Sequence, residues 1–402
     1  MTLESVQLQL GERFSARIFQ SLVQKQNVAS EITISKIFAF FLATLVHLVT
    51  LSWVGIAGFL IFGIDFNFFA LVLGILLLAI VWEIRPRFGK MPENRLERDN
   101  FPTLYKLVDE ISEDLGAKKV HSIVIEHGYK AFFGQITILR KNVLFLGLPL
   151  FAILNGQERV ALIAHEIAYG VSNDPMRSFF VRTAVDTLFR LSKLVRPARI
   201  FNTETVSGPI NNRHASHSTT NDVFGFLTAI GFLPINLFLL LVANIIFYCA
   251  YALLALIFRD SQRAKYLADQ MASRVSGTEA QLSVLEKTYH SGLVRAAIQN
   301  ISRADHDKNV FDTIREQMTA MPENEAERLR RINLLEDARV DPAHPPTANR
   351  IELIKINANP IPKVTLSVEE NQKISAELNT LEGKIQKQLI DEYRASFLSS
   401  MK

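Results

Sequence analysis

The sequence predicts a mainly α-helical membrane protein with a small β-sheet. Three observations lead to this fold class. Apolar runs that are long enough, or nearly so, to cross a bilayer lie at residues 37–62, 66–82 and 223–258. Elsewhere, apolar residues recur at the spacing of helix faces. Short stretches after residue 121, separated by turn residues, have the composition of strands.

The overall composition limits the class of protein. Hydrophobic residues make up 49% of the 402 residues, so the chain can bury a sizeable core, and its length allows two or three domains. The single cysteine, Cys249, excludes an intramolecular disulfide and a cysteine-based metal cluster. The excess of 44 basic over 40 acidic residues is small, and basic residues crowd beside an apolar run. We therefore expect a lipid bilayer as a partner and no nucleic acid.

Residues 1–35 are predicted to form an N-terminal amphipathic segment. Phe14, Ile18 and Leu22 follow one another at four-residue spacing, with Arg13 and Arg17 available for the polar side. A helix lying on the membrane and an ordinary solvated helix both fit this pattern.

Residues 36–84 are predicted to form a transmembrane hairpin. His47 is the one ionisable residue of the first run, and we expect it to be an interhelical or interfacial group. A cleaved signal peptide is not expected, because the run is long and a charged segment precedes it. Basic residues follow the hairpin, which places both of its ends in the cytoplasm: Arg85, Arg87, Lys90, Arg95 and Arg98. We expect the membrane to be a bacterial inner (plasma) membrane.

From Phe101 the composition becomes that of a soluble domain. Leu104, Leu107, Val108 and Ile111 form one face of a predicted helix, which Gly116 ends. Three strands are predicted after it, with a turn at residues 140–142, and their bounds are Ser122–Glu126, Gln135–Leu139 and Val143–Leu146.

The next helix, from Asn155 to Asp174, carries the chemically informative residues. Asn155 and Glu158 form a capping-box start, and His165, Glu166 and Tyr169 lie near the middle. Two imidazoles one helical turn apart bind zinc in metalloproteases, and a glutamate beside the first acts as base. His165 and Glu166 fit this pattern, but Tyr169 occupies the position of the second imidazole.

Residues 176–258 are predicted to be membrane-associated helices with a polar loop at 200–222. The helix at 176–196 is too charged for a lipid-exposed span, and we expect its charged face to turn toward protein. The run from 223 to 258, broken by Pro234, fits one tilted span or a tight hairpin. His214 and His217 could bind a metal, but a solvated loop is the simpler interpretation.

After this run, Lys265 and Asp269 stand four residues apart in a predicted helix. Alone, the stretch is an ordinary helix with Tyr266 and Met271 as core candidates. Beside a His-Glu pair it has another meaning, because a helical Glu-x-x-x-Asp often supplies a third zinc ligand and a carboxylate that orients a ligand. Here Lys265 occupies the ligand position.

In these motifs the chain resembles the HtpX-like and CAAX-prenyl endoprotease family of membrane zinc metallopeptidases, the gluzincins, from the first hairpin to about Leu353. The resemblance implies a gluzincin-like protease domain fused to transmembrane helices, with its two parts at 85–175 and 259–355. The motifs are the apolar hairpin, Lys130-Ala131-Phe132 where the family has Asn-Ala-Phe, AHEIAYG, Asp174, a membrane segment, KYLAD, and His344-Pro345-Pro346 followed by Arg350.

The resemblance also implies roles for individual residues. Glu166 would be the catalytic base, and His344 and Arg350 would face the substrate side of the cleft. For His344 and Arg350, a helix start with a surface ion pair is an equal alternative. Lys130, Ala131 and Phe132 would lie at the cleft edge. The positions of the metal site would be His165, Tyr169, Lys265 and Asp269.

The substitutions at this site argue against metal. Zinc needs about four ligands at roughly 2.0–2.3 Å, and only His165 of three protein ligands is kept. Tyr169 and Lys265 would each have to lose a proton, although lysine titrates near pH 10. We therefore expect no cofactor, with zinc as the alternative, and Lys265 paired with Glu166 or Asp269. His165 would then be a core histidine.

Residues 356–402 are predicted to be a helical extension with Ser367 and Glu370 at its start, packed on its own chain or on a partner helix. Two functions remain open. One is a metal-free pseudoprotease that binds a membrane protein or a partner protease. The alternative is an active membrane zinc metalloendopeptidase that cleaves membrane or misfolded proteins, with His344 or a loop histidine as a replacement ligand. A transporter or channel is a third alternative, which rests only on the charged face of residues 182–193.

Overall fold

The computed structural model describes residues 18–23, 33–86, 91–136, 140–172, 178–196, 233–304, 308–337 and 345–400. The chain divides into two compact units. The sheet unit comprises Met1–Ile32, Phe88–Arg177 and Phe258–Lys402, and the apolar unit comprises Thr33–Arg87 and Ser178–Ile257.

The described elements alternate between these units along the chain. The first helix, α1, covers residues 18–23. The others are α2 (Ile34–Phe62), α3 (Phe68–Ile84), α4 (Pro102–Asp114), β1 (Ser122–Glu126), β2 (Ala131–Ile136), β3 (Lys141–Gly147), α5 (Leu148–Phe151), α6 (Gly156–Val171), α7 (Phe179–Val195), α8 (Leu233–Ser276), α9 (Thr278–Lys287), α10 (Ser291–Ala304), α11 (Val310–Thr319), α12 (Glu323–Asp337), α13 (Thr347–Ile356) and α14 (Val368–Ser400). The mainly helical fold with a small sheet is confirmed.

The sheet has the strand order β1-β3-β2. β3 pairs in parallel with β1, from Ser122 opposite Val143, and antiparallel with β2, from Ala131 opposite Leu146. β1 has its predicted bounds, but β2 begins four residues earlier than predicted. Pairing with β3, rather than local composition, decides where β2 begins. Arg140, at φ 52°, lies in the turn before β3.

The core of the sheet unit joins α4, α6 and the sheet. All four residues of the predicted α4 face are buried: Leu104, Leu107, Val108 and Ile111. The C-terminal helix α14 also packs against its own chain, because four of its apolar residues belong to this core: Ile374, Leu378, Ile385 and Leu389. Arg159 of α6 donates to Asn371 Oδ1 and Ser375 Oγ of α14, both at 2.9 Å.

The N-terminal helix α1 packs on its own unit. Ile18 and Leu22 are 3% and 1% exposed and form a small cluster with Tyr266 and Leu353. For α1, the prediction of a helix lying on the membrane is therefore wrong, because the protein itself covers the apolar face. The rest of the 1–35 segment lies largely outside the described residues.

In the apolar unit, α2 and α3 pack side by side. The Thr33 and Asn67 side chains cap the starts of these helices. A Cβ on Gly74 of α3 would come within 2.6 Å of Ile61 Cγ1 and 3.1 Å of Ala57 O, so glycine allows the close approach. His47 Nε2 lies 2.9 Å from Phe180 O of α7, which agrees with the prediction of an interhelical group.

Two described helices, Ile34–Phe62 and Pro234–Ser276, are long and apolar enough to cross a membrane by length and composition. α3 is apolar but has 17 residues. α8 is one uninterrupted helix, so a hairpin within residues 233–258 is wrong. Pro234 is the second described residue of this helix, and the helix continues through it without a break.

α7 corrects the prediction for the charged helix. Arg182 and Asp186 are exposed, whereas Val181, Ala184 and Val185 are buried. The small and apolar face of α7 therefore faces the protein, and the prediction that the charged face would do so is wrong. Short side chains allow two helices to pack closely, which ionised ones do not.

Candidate functional site

Helix α6 is fixed at its start by reciprocal hydrogen bonds. Asn155 Oδ1 accepts from the Glu158 amide at 2.9 Å, and Glu158 Oε2 accepts from the Asn155 amide at 2.7 Å. Glu158 Oε2 also forms an ion pair with Lys287 Nζ at 2.6 Å, which links α6 to α9. The helix is buried over most of its length, so His165 and Glu166, on its third turn, lie inside the sheet unit.

Asp269 of α8 is the centre of a buried polar cluster. Its side chain is 1% exposed. Arg350 of α13 donates through Nε to Oδ2 and through Nη2 to Oδ1, both at 2.7 Å, and Gln281 Nε2 of α9 donates to Oδ1 at 3.1 Å. Such a two-pronged arginine–carboxylate contact fixes geometry as well as charge. The cluster therefore holds three helices in register.

The charge of Asp269 is set by this cluster. Burial raises the pKa of the carboxyl group, but the positive charge and hydrogen bonds of Arg350, with a smaller contribution from His165, outweigh burial and hold the pKa well below its ordinary value. Asp269 is therefore an anion at neutral pH.

His165 also faces Asp269. Its Nδ1 lies 3.0 Å from Asp269 Oδ1. A carboxylate at one ring nitrogen orients a histidine so that the other nitrogen is turned elsewhere, which is also how metal-binding histidines are held. The orientation expected of a ligand histidine is present in α6.

Glu166 contacts the sheet. Its Oε2 accepts from the Phe133 amide of β2 at 3.2 Å. Gly170, one turn later, allows this approach, because a Cβ there would come within 2.3 Å of Phe133 Cδ1. The predicted base thus lies against β2, an outer strand in the order of the described sheet.

Tyr169 and Lys265 occupy the two remaining ligand positions. Lys265 Nζ lies 5.7 Å from the centroid of the Tyr169 ring, within the range of a cation–π contact. The Tyr169 ring is inclined by 22° to that of His165, with centroids 6.4 Å apart. The expected ion pair of Lys265 with Glu166 or Asp269 stays a prediction.

The other predicted site residues are placed as follows. Arg350 is buried beside Asp269, so the alternative of a surface pair is wrong. Ala131 and Phe132 lie in β2, and exposed Lys130 has its Nζ 5.5 Å from the Phe132 ring. His344, Asp174, His214 and His217 lie outside the described residues. Sequence reasoning missed Gln281, which no local motif marks.

Comparison with known families decides the relationship. The model of peptidase family M48 matches residues 99–357, more than half of the chain. The chain belongs to peptidase family M48. No curated protein and no solved structure matches it. The matched region contains every residue of the cluster from His165 to Arg350, so the M48 match and the cluster concern the same part of the protein.

The site of this M48 chain does not fit a zinc ion. The three ligand positions hold an imidazole, a phenol and an ammonium group, at His165, Tyr169 and Lys265. Within the part of the chain that the structure describes, no three His, Cys, Asp or Glu side chains are grouped so that they could hold a metal. Asp269, a potential oxygen donor, is engaged by Arg350 instead.

Proposed function

We propose that this M48 protein is a membrane-anchored, metal-free pseudoprotease that acts by binding a membrane protein or a partner protein. One observation carries the proposal: a lysine ammonium group lies against Tyr169 beside the single remaining ligand, His165. A zinc ion there would be repelled by Lys265, and both replaced ligands would have to lose a proton before they could coordinate it.

The charges around the site support the same conclusion. Arg350 neutralises the buried Asp269. The cluster therefore needs no dication to compensate a buried anion, which would be costly if it were left unpaired. In this proposal the cleft keeps its shape through Arg350 and Lys265, and the partner takes the place of a substrate along Lys130, Ala131 and Phe132.

The proposed setting follows from the apolar helices. The two candidate spans support a membrane location, and the basic residues after α3 favour a cytoplasmic sheet unit. The membrane of this proposal is a bacterial inner membrane. Within M48, the motif series favours the HtpX-like group of gluzincins.

Metal analysis of the purified full-length protein tests the proposal. We expect far less than one zinc per chain and no cleavage of casein. Stoichiometric zinc that is lost in His165→Ala would overturn the proposal and favour the alternative, an active zinc metalloendopeptidase with an atypical ligand set.

Restoring the ligand set provides the positive control. The double change Tyr169→His with Lys265→Glu recreates two imidazoles and a carboxylate beside Glu166 and should bind zinc. Each single change supplies only two ligands and should bind much less. A folded double variant that binds no zinc would mean that α6 and α8 do not meet in the geometry of a metal site.

A further inference from the structure

The apolar unit contains a cavity of about 530 Å³. Side chains of α2, α7 and α8 form most of its wall, among them Leu45, Val49, Trp53, Leu191, Ile246 and Leu253. Two threonine hydroxyls also belong to the lining, but Thr50 donates to Val46 O at 2.9 Å and Thr187 to Ile84 O at 3.2 Å. The cavity is therefore suited to an apolar occupant. Its size falls within the roughly 300–1,000 Å³ of ligand sites.

One part of the wall is bordered by arginines. Ile84, Leu191 and Val195 line the cavity, and Arg85, Arg190 and Arg196 directly adjoin them in sequence. Arg190 Nη1 lies 3.4 Å from Arg85 O, so Arg85 and Arg190 are neighbours in space as well.

The described contacts of the three guanidinium groups are with neutral groups. Arg85 stacks on the Trp82 ring at 3.5 Å, Arg190 donates to the Arg85 carbonyl, and Arg196 Nη2 donates to Asn244 Oδ1 at 3.1 Å. These contacts orient the side chains but leave their positive charge to be compensated. A phosphate group is a favourable partner for clustered arginines.

We propose that this cavity binds one acyl chain of an anionic phospholipid, whose phosphate group contacts Arg85, Arg190 and Arg196. An acyl chain matches the apolar wall, and an anionic headgroup matches the charge of the border. The inference goes beyond the proposed pseudoprotease function and rests only on the proposed membrane setting. Measured zinc content does not bear on it, so the two proposals can fail separately.

A native cysteine that lines the cavity can report lipid binding through its rate of chemical labelling. Cys249 is the only cysteine, it is exposed, and it lines the cavity. The full-length protein, purified in a neutral detergent and stripped of lipid, is treated with N-ethylmaleimide with and without added lipid. Phosphatidylglycerol at roughly ten times its dissociation constant should slow labelling of Cys249 about tenfold by mass action. Phosphatidylcholine at the same concentration should slow it much less.

Two sets of variants distinguish the contribution of the apolar cavity wall to lipid binding from that of the arginines at its border. Leu191→Trp fills the cavity and should abolish the protection, as should Val49→Phe if the first variant does not fold. Leu241→Trp, on the exposed side of α8, is the matched control and should keep it. Arg190→Gln with Arg196→Gln should remove the preference for phosphatidylglycerol, whereas exposed Arg182→Gln on the same helix should not.

Native mass spectrometry completes the test. Retention of phosphatidylglycerol by the wild type, and its loss in the folded Leu191→Trp variant, would support the proposal. Equal protection by both lipids would overturn it. Protection that needs no lipid and survives Leu191→Trp would also overturn it, in favour of a second copy if the mass doubles, or of residues 197–232 of the same chain if it does not.

Discussion

At the scale of single residues, the Asp269–Arg350 contact is the strongest buried polar contact of the site, because both oxygens of a fully buried carboxylate are engaged. Arg350→Met should destabilise the fold by about 3–5 kcal/mol, since the change leaves a buried charge without its partner. Thermal or denaturant unfolding in detergent measures the loss.

Arg331→Met is the matched control for this change. Arg331 also pairs with a carboxylate, Glu327, but the two side chains are 75% and 43% exposed. The control should cost no more than about 0.5 kcal/mol. If Arg350→Met costs no more than Arg331→Met, the Asp269 carboxylate must be compensated by other groups.

The same cluster predicts a pH dependence. In the wild type the pKa of Asp269 is held below its ordinary value, so its contribution to stability is present above about pH 4 and is lost only as the pH falls through the folded-state pKa. In Arg350→Met, burial should raise the pKa of Asp269, because the guanidinium group that opposes burial is gone.

Protonation of Asp269 would remove the unpaired buried charge in the Arg350→Met variant. The stability deficit of the variant relative to the wild type should therefore shrink as the pH falls from about 8 to about 5. Urea unfolding of both proteins across this range measures the deficit. A constant deficit would mean that the cost of the variant is packing rather than charge.

Sequence reasoning found the residues of the site more readily than their partners. His165, Glu166, Tyr169, Lys265 and Asp269 follow from spacing along two helices. The bond from Arg350 to Asp269 spans 81 positions, and Gln281 comes from a third helix, so no local pattern marks either contact. The expected pairing of Lys265 with Glu166 or Asp269 used only residues of these two helices, and the guanidinium group of Arg350 comes from elsewhere in the chain.

At the scale of elements, the contact of α6 with β2 depends on Gly170. Gly170→Ala should destabilise the fold by about 1–3 kcal/mol, because the new Cβ would come within 2.3 Å of the Phe133 ring and overpack the contact. Gly383→Ala in α14 is the matched control. Nothing lies within 4 Å of its Cβ position, so alanine should stabilise that helix by about 0.5–1 kcal/mol.

Both glycine variants can be measured by unfolding, and hydrogen exchange at the Phe133 amide reports the site. If Gly170→Ala were neutral, the Phe133 ring would have room to move and the α6–β2 contact would be looser than the distances indicate.

Helices and strands could be predicted where the residue pattern of the segment itself determines its bounds and its buried face. The α4 face and β1 follow from local apolar spacing, and the α6 start follows from two side chains that satisfy each other. β2 and α7 were misjudged for a shared reason. Strand pairing determines the bounds of β2, and the packing of small residues determines which face of α7 is buried. The periodicity of apolar residues within each segment predicts neither.

At the scale of the whole molecule, the continuous helix α8 decides between two topologies. A hairpin after Pro234 is excluded within residues 233–258, so α8 is expected to cross once. If His165 and Lys265 lie on the same side, the chain between α6 and α8 must cross once more, and the two-crossing prediction assigns that crossing to α7. In a Cys249→Ser background, Lys130→Cys should be labelled from the cytoplasm and Ser207→Cys only from the opposite side. Equal cytoplasmic accessibility of the two positions would contradict this topology.

The division into units was only partly visible in the sequence. Apolar runs marked the segments 36–84 and 176–258, and the structure joins the corresponding stretches, Thr33–Arg87 and Ser178–Ile257, into one unit. Hydropathy shows which segments avoid water, but it does not show which of them share a core.

The long sequence separation of Asp269 and Arg350 also has a kinetic meaning. A contact that closes a loop of 81 positions carries a large entropic cost and forms after the local helices around it. Contacts that form late hold back unfolding more than they speed refolding. We therefore expect loss of the Asp269–Arg350 bond to speed unfolding more than it slows refolding.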